Sequence, residues 1–495
     1  MAKRWIPMVT GSVFLLPLLF FNAETSHAFS DRSDGFQPGS PGSAGMVEQK
    51  LNNIDDVIKE GIDDQVMPGA VVLTTKNGVI AKEDAYGEAA KYLDDDFTEM
   101  DDPVAMQADT IFDVASITKV FTAISAMQLY EDGEFDLDDP VANYIPEFTK
   151  GDKSEITIRH LITHTSGFED WVPLYMEADS REEAYDIVFS AELTREPGSD
   201  YVYSDLNMIT LAAVIEHITG ERLDEYIEKN ITEPLGMDDT MFNPPESMKD
   251  RTAATEYQPE VDRGLVWGEV HDENAWVMDG VSGHAGLFST ARDLAVFGQM
   301  FLNEGEYEGE RILQADTVKK IGTDQLPDSL DDSHGLGWEL DQAWYMGDLS
   351  EPETMGHTGF TGTSMVINPN EQTMAIVLTN RVHPTRDGAS PNDIRESVAD
   401  QTAAAIDAWD ASYMASLVED LDEDGEFAKD EAVHALQTHL TAVHHYEDQE
   451  EAAKVIRHTE GFQDLMAEQK NNAEISQEAF HILNTQAEDL IEKWE

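Results

Sequence analysis

The stretch DVASITKVFTA, Asp113 to Ala123, sets a hydroxyl and an ammonium three residues apart at the head of an otherwise apolar run. Residues at i and i+3 share one face of a helix, so Ser116 and Lys119 are expected to point into one space. A seryl hydroxyl is a poor nucleophile until a neighbour takes its proton or stabilises the alkoxide. Lys119 is placed to do so, and burial is expected to lower its pKa. Ser116 also falls at the expected helix N-terminus, where the dipole favours developing negative charge. Alone, however, a Ser-x-x-Lys pair is more often a cap or a solvated surface pair.

Downstream the text continues ISAMQLYEDGEFDLDDPVANYIPEF, then IRHLITHTSGFED (Ile158 to Asp170) and PGSDYVYSDLNMITLAAVIEHITG. DGVSGHAGLFSTARDLAVFGQMFLN and GHTGFTGTSMVINP follow. Residues at the two ends read as strands, PGAVVLTTKNGVIAKEDAYG near the start and TGTSMVINPNEQTMAIVLTN near residue 370, with helical text between them. This pattern predicts an α/β (α+β) domain: an antiparallel sheet closed from both chain ends and flanked by helices, with an inserted helical lobe. In its ordered motifs the chain over about 46–405 resembles the serine β-lactamase and penicillin-binding-protein superfamily, class C-like branch.

The resemblance implies a β-lactamase/transpeptidase-like fold and an acyl-enzyme hydrolase without a cofactor. Ser116 would be the nucleophile, Lys119 its activator and Tyr203 the second acid/base group. The oxyanion hole would come from the N–H groups of Ser116 and Phe360. Asp205, His357, Thr358 and Gly359 would line the substrate site. Two of these depart from the family pattern. Tyr203-Ser204-Asp205 stands where Tyr-x-Asn is frequent, and Asn207 lies two positions too far on to replace the asparagine. His357-Thr358-Gly359 stands where Lys-Thr-Gly is common. A histidine is only partly charged near neutral pH, and Asp205 should keep Lys119 protonated. Both changes are expected to weaken binding of an anionic substrate end, to slow β-lactam hydrolysis, and to set the scissile bond farther from a carboxylate.

The segments Gly268 to Thr290 and Leu378 to Asp387 look like those of secreted relatives that include muramoyl-peptide amidases, beside esterases and D,D-carboxypeptidases. His271, Asp272 and Asn274 would shape the cleft or simply build its loop, and His284 would be structural. The expected substrate is a small molecule or a peptidoglycan fragment. An esterase, a weak β-lactamase and a non-catalytic wall- or penicillin-binding protein are the alternatives. Retention of Ser116, Lys119 and Tyr203 together argues against the last, because a binding module gains nothing from a buried ammonium beside a serine. Neither Gly-x-Ser-x-Gly nor His-Glu-x-x-His occurs in the chain, which disfavours an α/β-hydrolase and a zinc peptidase.

The 495 residues carry 100 acids against 31 bases, a net charge of −69, and no cysteine. Such a field repels nucleic acid, and the spread of acids suggests a surface adapted to high salt. Residues 1–28 read as a signal peptide. Lys3 and Arg4 precede the apolar run, Pro17 interrupts it, and Ser26 and Ala28 prepare a cut after Ala28. The mature protein is therefore expected to be secreted and without a membrane span. Residues 29–45, rich in Gly, Pro and Ser, read as a flexible linker, followed by the hydrolase domain over 46–408.

Residues 409–495 form a separate all-α module by their periodicity, and its motifs resemble the FIMAH domain appended to secreted bacterial enzymes. Within it DLDEDGEFAKDE fits the EF-hand pattern, with Asp420, Asp422, Asp424, Glu426 and Glu431 as ligands. Acids are so frequent here that such matches come by chance, and the FIMAH likeness explains GEF without calcium, so no metal is assigned. Nothing in the sequence fixes an oligomeric state.

Overall fold

The main sheet is built where β-branched and apolar residues alternate between two cores. In the computed structural model, which describes residues 35–37, 39–327, 329–330 and 332–494, helix α1 (Glu48–Asp63) leads into strands β1 (Gly69–Lys76), β2 (Val79–Tyr92) and β3 (Glu99–Ala105). Helices α2 (Thr118–Glu131), α3 (Asp205–Thr219) and α4 (Ala291–Leu302) belong to the lobe between the chain ends. Strands β4 (Glu339–Leu340), β5 (Met355–Thr358), β6 (Ser364–Asn368) and β7 (Thr373–Thr379) complete the sheet, and α5 (Asn392–Asp407) closes the domain. The strand order is β4-β5-β6-β7-β1-β2-β3, and each neighbouring pair is antiparallel. The two chain ends meet at β1 and β7, with Leu73 opposite Ile376, as the sequence predicts.

Every residue of β1 is buried, so both its faces are covered. Ala70 and Val72 pack with Leu51, Ile54 and Ile58 of α1 and Ile394 and Val398 of α5. Val71 and Leu73 face the larger core that holds Phe121, Phe297 and Trp338. This is the period of two along a strand put to use twice. Helix α2 is apolar nearly all round and is buried on all sides. The Phe121 ring stacks on Phe297 of α4 at 4.1 Å. The Ser-x-x-Lys pair is thereby seated on a rigid element.

The C-terminal region is helical, with α6 (Ala411–Glu423), α7 (Asp430–Glu447), α8 (Ala452–Asn471) and α9 (Gln477–Trp494). Its core gathers Leu417, Leu436, Phe462 and Leu483, together with Val47 from the N-terminal side. The expected signal peptide, and residues 29–34 of the expected linker, lie outside the described residues. Over residues 39–45 the linker expectation is wrong. Ala44 is fully buried and Met46 beside it nearly so, Gln37 bridges Val79, and Gln486 donates to the Ser43 carbonyl. The Gly/Pro/Ser text here is turn chemistry, because Gly45 takes φ +75°, which an L side chain adopts only with strain.

The calcium pattern is not realised either. Asp420 and Asp422 lie inside α6, with Asp424 as its C-cap, while Glu431 sits in the first turn of α7. Helical geometry turns successive side chains about 100° apart, so these acids diverge. The segment between the helices pairs Phe427 with Ile475. No helix among the described residues is long and apolar enough to cross a membrane.

Candidate active site

Ser116 occupies a 3₁₀ turn, Ala115–Ile117, that feeds directly into α2. Ala115 carries φ +47°, a strained conformation for a residue with a side chain. Asp113 holds that turn from below, accepting the Ala115 N–H at 2.8 Å and the His271 N–H at 2.7 Å. The strain presents Ser116 to a cavity of about 290 Å³, whose walls include Tyr203, Glu339, Phe360, Arg381 and Arg395.

Lys119 is 1% exposed and donates to Ser116 Oγ at 2.8 Å and to the His284 carbonyl at 3.2 Å. Its third partner is Asp205 at the head of α3, whose Oδ1 lies 2.9 Å away. The ammonium also sits 4.7 Å from the centre of the Tyr203 ring. Burial pushes the ammonium down, but the Asp205 carboxylate and Tyr203 outweigh it, and the net shift is upward. The expectation that burial lowers this pKa therefore fails, because the departure at Asp205 supplies a counter-charge within contact. Tyr203 moves upward too. Burial and Asp205 disfavour its phenolate, against the opposing pull of Lys119.

His357 lies on β5, its Nδ1 2.8 Å from the Thr358 carbonyl. Burial, with Lys119 nearby, pushes it down to about 3, so the ring is neutral at neutral pH and not the partly charged group expected. Gly359 follows this strand hard against the Ser116 turn, where a Cβ would stand 2.5 Å from the Val114 carbonyl oxygen. Among the described residues, neither the Ser116 nor the Phe360 N–H has an acceptor, as an oxyanion hole requires. Asn207 is fully buried and braces His164, 3.2 Å from its Nδ1. It stays behind the site.

Sequence reasoning missed the two guanidinium groups of the cavity. Arg395 of α5 is bound to Asn392 Oδ1 and to the Gly359 and Thr363 carbonyls, each at 2.8 Å. Arg381 lies over the Phe360 ring, 4.9 Å from its centre. Neither is paired with a carboxylate among the described residues. Positive charge thus enters from α5 and the segment after β7, not from the strand where a lysine is common. Arg381 lies inside the Leu378–Asp387 segment singled out in the sequence, though with no role given to it. For Arg395 the signal was an Asn and an Arg three apart at a helix start, too slight to find it. Glu339, also missed, faces the same cavity, its carboxyl pushed up to about 7 by burial.

The loop residues left open in the sequence prove to be anchors. His284 is clamped between Ser282 Oγ (2.7 Å) and Asp272 Oδ1 (2.9 Å), which fixes the carbonyl that receives Lys119. His271 stacks on Phe360 and pairs with Glu256 at 2.9 Å. Asn274 ties Val172 and Tyr175 to the short helix Glu273–Val277. A Cβ at Gly283 would stand 2.0 Å from the Met208 carbonyl oxygen. Gly283→Ala is accordingly expected to cost about 1–3 kcal/mol, read as a lower denaturation midpoint; an unchanged midpoint would contradict this packing.

The beta-lactamase family model matches residues 54–400. The chain belongs to the β-lactamase family. It is a serine hydrolase of that family, and the FIMAH domain model matches residues 411–492. A protein of Escherichia coli K12 named "Putative D-alanyl-D-alanine carboxypeptidase" is 34% identical over 411 residues, covering 74% of this chain and 93% of its own. Among solved structures, EstCE1, a hydrolase with promiscuous acyltransferase activity, superposes with TM-score 0.57 at 24% identity, over 71% of this chain and 99% of its own. A class C β-lactamase does so with TM-score 0.57 at 20% identity, over 72% and 96%. These two likenesses speak for the fold.

Proposed function

We propose that this β-lactamase-family hydrolase cleaves peptide bonds near a free carboxylate in cell-wall peptides, as a D-alanine carboxypeptidase does. The observation that carries this is the cavity that Ser116 shares with two guanidiniums lacking carboxylate partners. A planar guanidinium matches a carboxylate better than an ammonium does. The charge that His357 fails to supply is therefore present, which favours a carboxypeptidase over a muramoyl amidase or a neutral-ester hydrolase. The names of the curated relatives point the same way.

In the proposed cycle the Ser116 oxygen attacks the scissile carbonyl, and the oxyanion is received by the N–H groups of Ser116 and Phe360. Lys119 stays cationic, holding the alkoxide, while Tyr203 in its phenolate form takes the seryl proton and delivers it to the leaving amine as the C–N bond breaks. Water then attacks the acyl-enzyme, giving its proton back to Ser116 through the same pair. Mass spectrometry of D-Ala-D-Ala peptides, muramyl peptides and p-nitrophenyl esters tests the reading; release of free D-alanine supports it, and cleavage confined to the sugar–peptide bond contradicts it. Arg381→Gln is expected to lower kcat/KM for carboxylate-ended peptides about tenfold, one charge-assisted hydrogen bond, while a neutral p-nitrophenyl ester changes little. Equal losses on both would contradict carboxylate recognition.

The same reading places the mature protein outside the cell, with a surface suited to salt. Its unfolding midpoint is expected to rise as salt increases from low to molar concentration, because screening relieves the repulsion of the net −69 charge; a flat response would contradict it.

A further inference from the structure

Where the hydrolase domain passes into the helical region, three metal-ligand side chains converge away from the active site. Asp410 precedes α6 and caps it, its Oδ1 accepting the N–H groups of Ser412 (2.8 Å) and Tyr413 (3.0 Å). Glu447 ends α7, and its Oε2 accepts the Ala411 N–H at 3.1 Å. His444 stands one turn earlier on α7, its Nδ1 3.5 Å from Glu447 Oε2 and 3.9 Å from Asp410 Oδ2. Ligand atoms of all three lie within 4.8 Å of one another.

Two observations separate this cluster from the acids scattered over the surface. The Glu447 side chain is only 8% exposed, and its Oε1 is buried without a hydrogen-bond partner. His444 Nδ1 is likewise buried and unpartnered, although the outer part of the ring reaches solvent. An orphaned carboxylate oxygen beside an orphaned imidazole nitrogen is costly, and neither acid is paired with a lysine or arginine among the described residues. Each carboxylate is meanwhile oriented by a backbone N–H, the outer support that metal ligands receive in built sites.

We propose that Asp410, His444 and Glu447 bind a divalent transition-metal ion of the zinc type. One imidazole nitrogen and two carboxylate oxygens leave a fourth position for water, the tetrahedral count that zinc takes. Donor atoms of a tetrahedral shell with bonds of about 2.0–2.1 Å lie about 3.3 Å apart; His444 Nδ1 already stands 3.5 and 3.9 Å from the two carboxylates, and the whole set, within 4.8 Å, has to draw in on binding. Calcium needs six to eight oxygens and is not served by this set. The bound ion ties the end of α7 to the start of α6, at the joint with the hydrolase domain.

Calorimetric titration of the metal-stripped full chain with zinc chloride at moderate salt tests this. The expected result is one saturable zinc ion per chain, undisturbed by a large excess of calcium. His444→Ala should weaken it at least tenfold, and the neighbouring His445→Ala should leave it unchanged. Asp410→Asn keeps the helix cap and should also weaken it, with circular dichroism confirming that each variant is folded. Absence of saturable binding would overturn the proposal. Displacement by calcium, or undiminished binding in His444→Ala, would overturn it equally.

Discussion

Lys119→Met is expected to lower turnover by about 10³-fold or more while leaving substrate binding largely intact. The side chain is isosteric enough to fill its space, but the ammonium that donates to Ser116 Oγ at 2.8 Å is gone. Removing the cation also strands Asp205, which pairs with it at 2.9 Å and is itself mostly buried. An uncompensated buried charge destabilises a fold, so a loss of activity could be confused with a loss of structure. The double variant Lys119→Met/Asp205→Asn separates the two. It should regain the thermal stability that the single variant loses and remain as inactive. A double variant that regained turnover would show that Lys119 acts only by balancing Asp205.

The second large effect is a displacement along the pH axis. Asp205 raises the pKa of both Lys119 and Tyr203, so the base form of the pair is scarce near neutral pH. The value of kcat/KM should therefore rise with pH as that form is populated, with apparent pKa values that belong to the pair and not to either residue. Asp205→Asn removes one carboxylate from both neighbours. The ammonium then loses its proton more readily and the phenol ionises more readily, so the rising limb should move to lower pH. A limb that stays in place, or moves up, would show that Asp205 does not set the protonation of the site. His357 titrates far below this range and should contribute no limb near neutrality.

Much of this architecture was legible in the sequence because its signals are local. Ser116 and Lys119 are one turn apart, and two β-rich runs at the chain ends announced a closed sheet, realised as β1 against β7. What escaped reading was set by contacts between distant positions. The Lys119 pKa depends on Asp205, which the sequence does identify, but the winner between burial and counter-charge is decided by a 2.9 Å contact. Arg381 and Arg395 reach a cavity that they share with Ser116, more than 260 positions earlier, and no local pattern marks them as its wall. The Gly/Pro/Ser segment before Met46 was misread because turn-forming residues serve packed and loose chain alike. The calcium pattern, to which the sequence reading assigned no metal, falls largely on helix: acids at the right spacing imply a loop only where the backbone is not already helical.

The most direct test is intact-mass analysis of the protein mixed with a fluorophosphonate or a fluorescent penicillin, followed by digestion and mapping of the modified peptide. One adduct per chain on the peptide carrying Ser116, absent from Ser116→Ala, is the predicted result. Labelling at another residue, or equal labelling of the alanine variant, would contradict the account at its root.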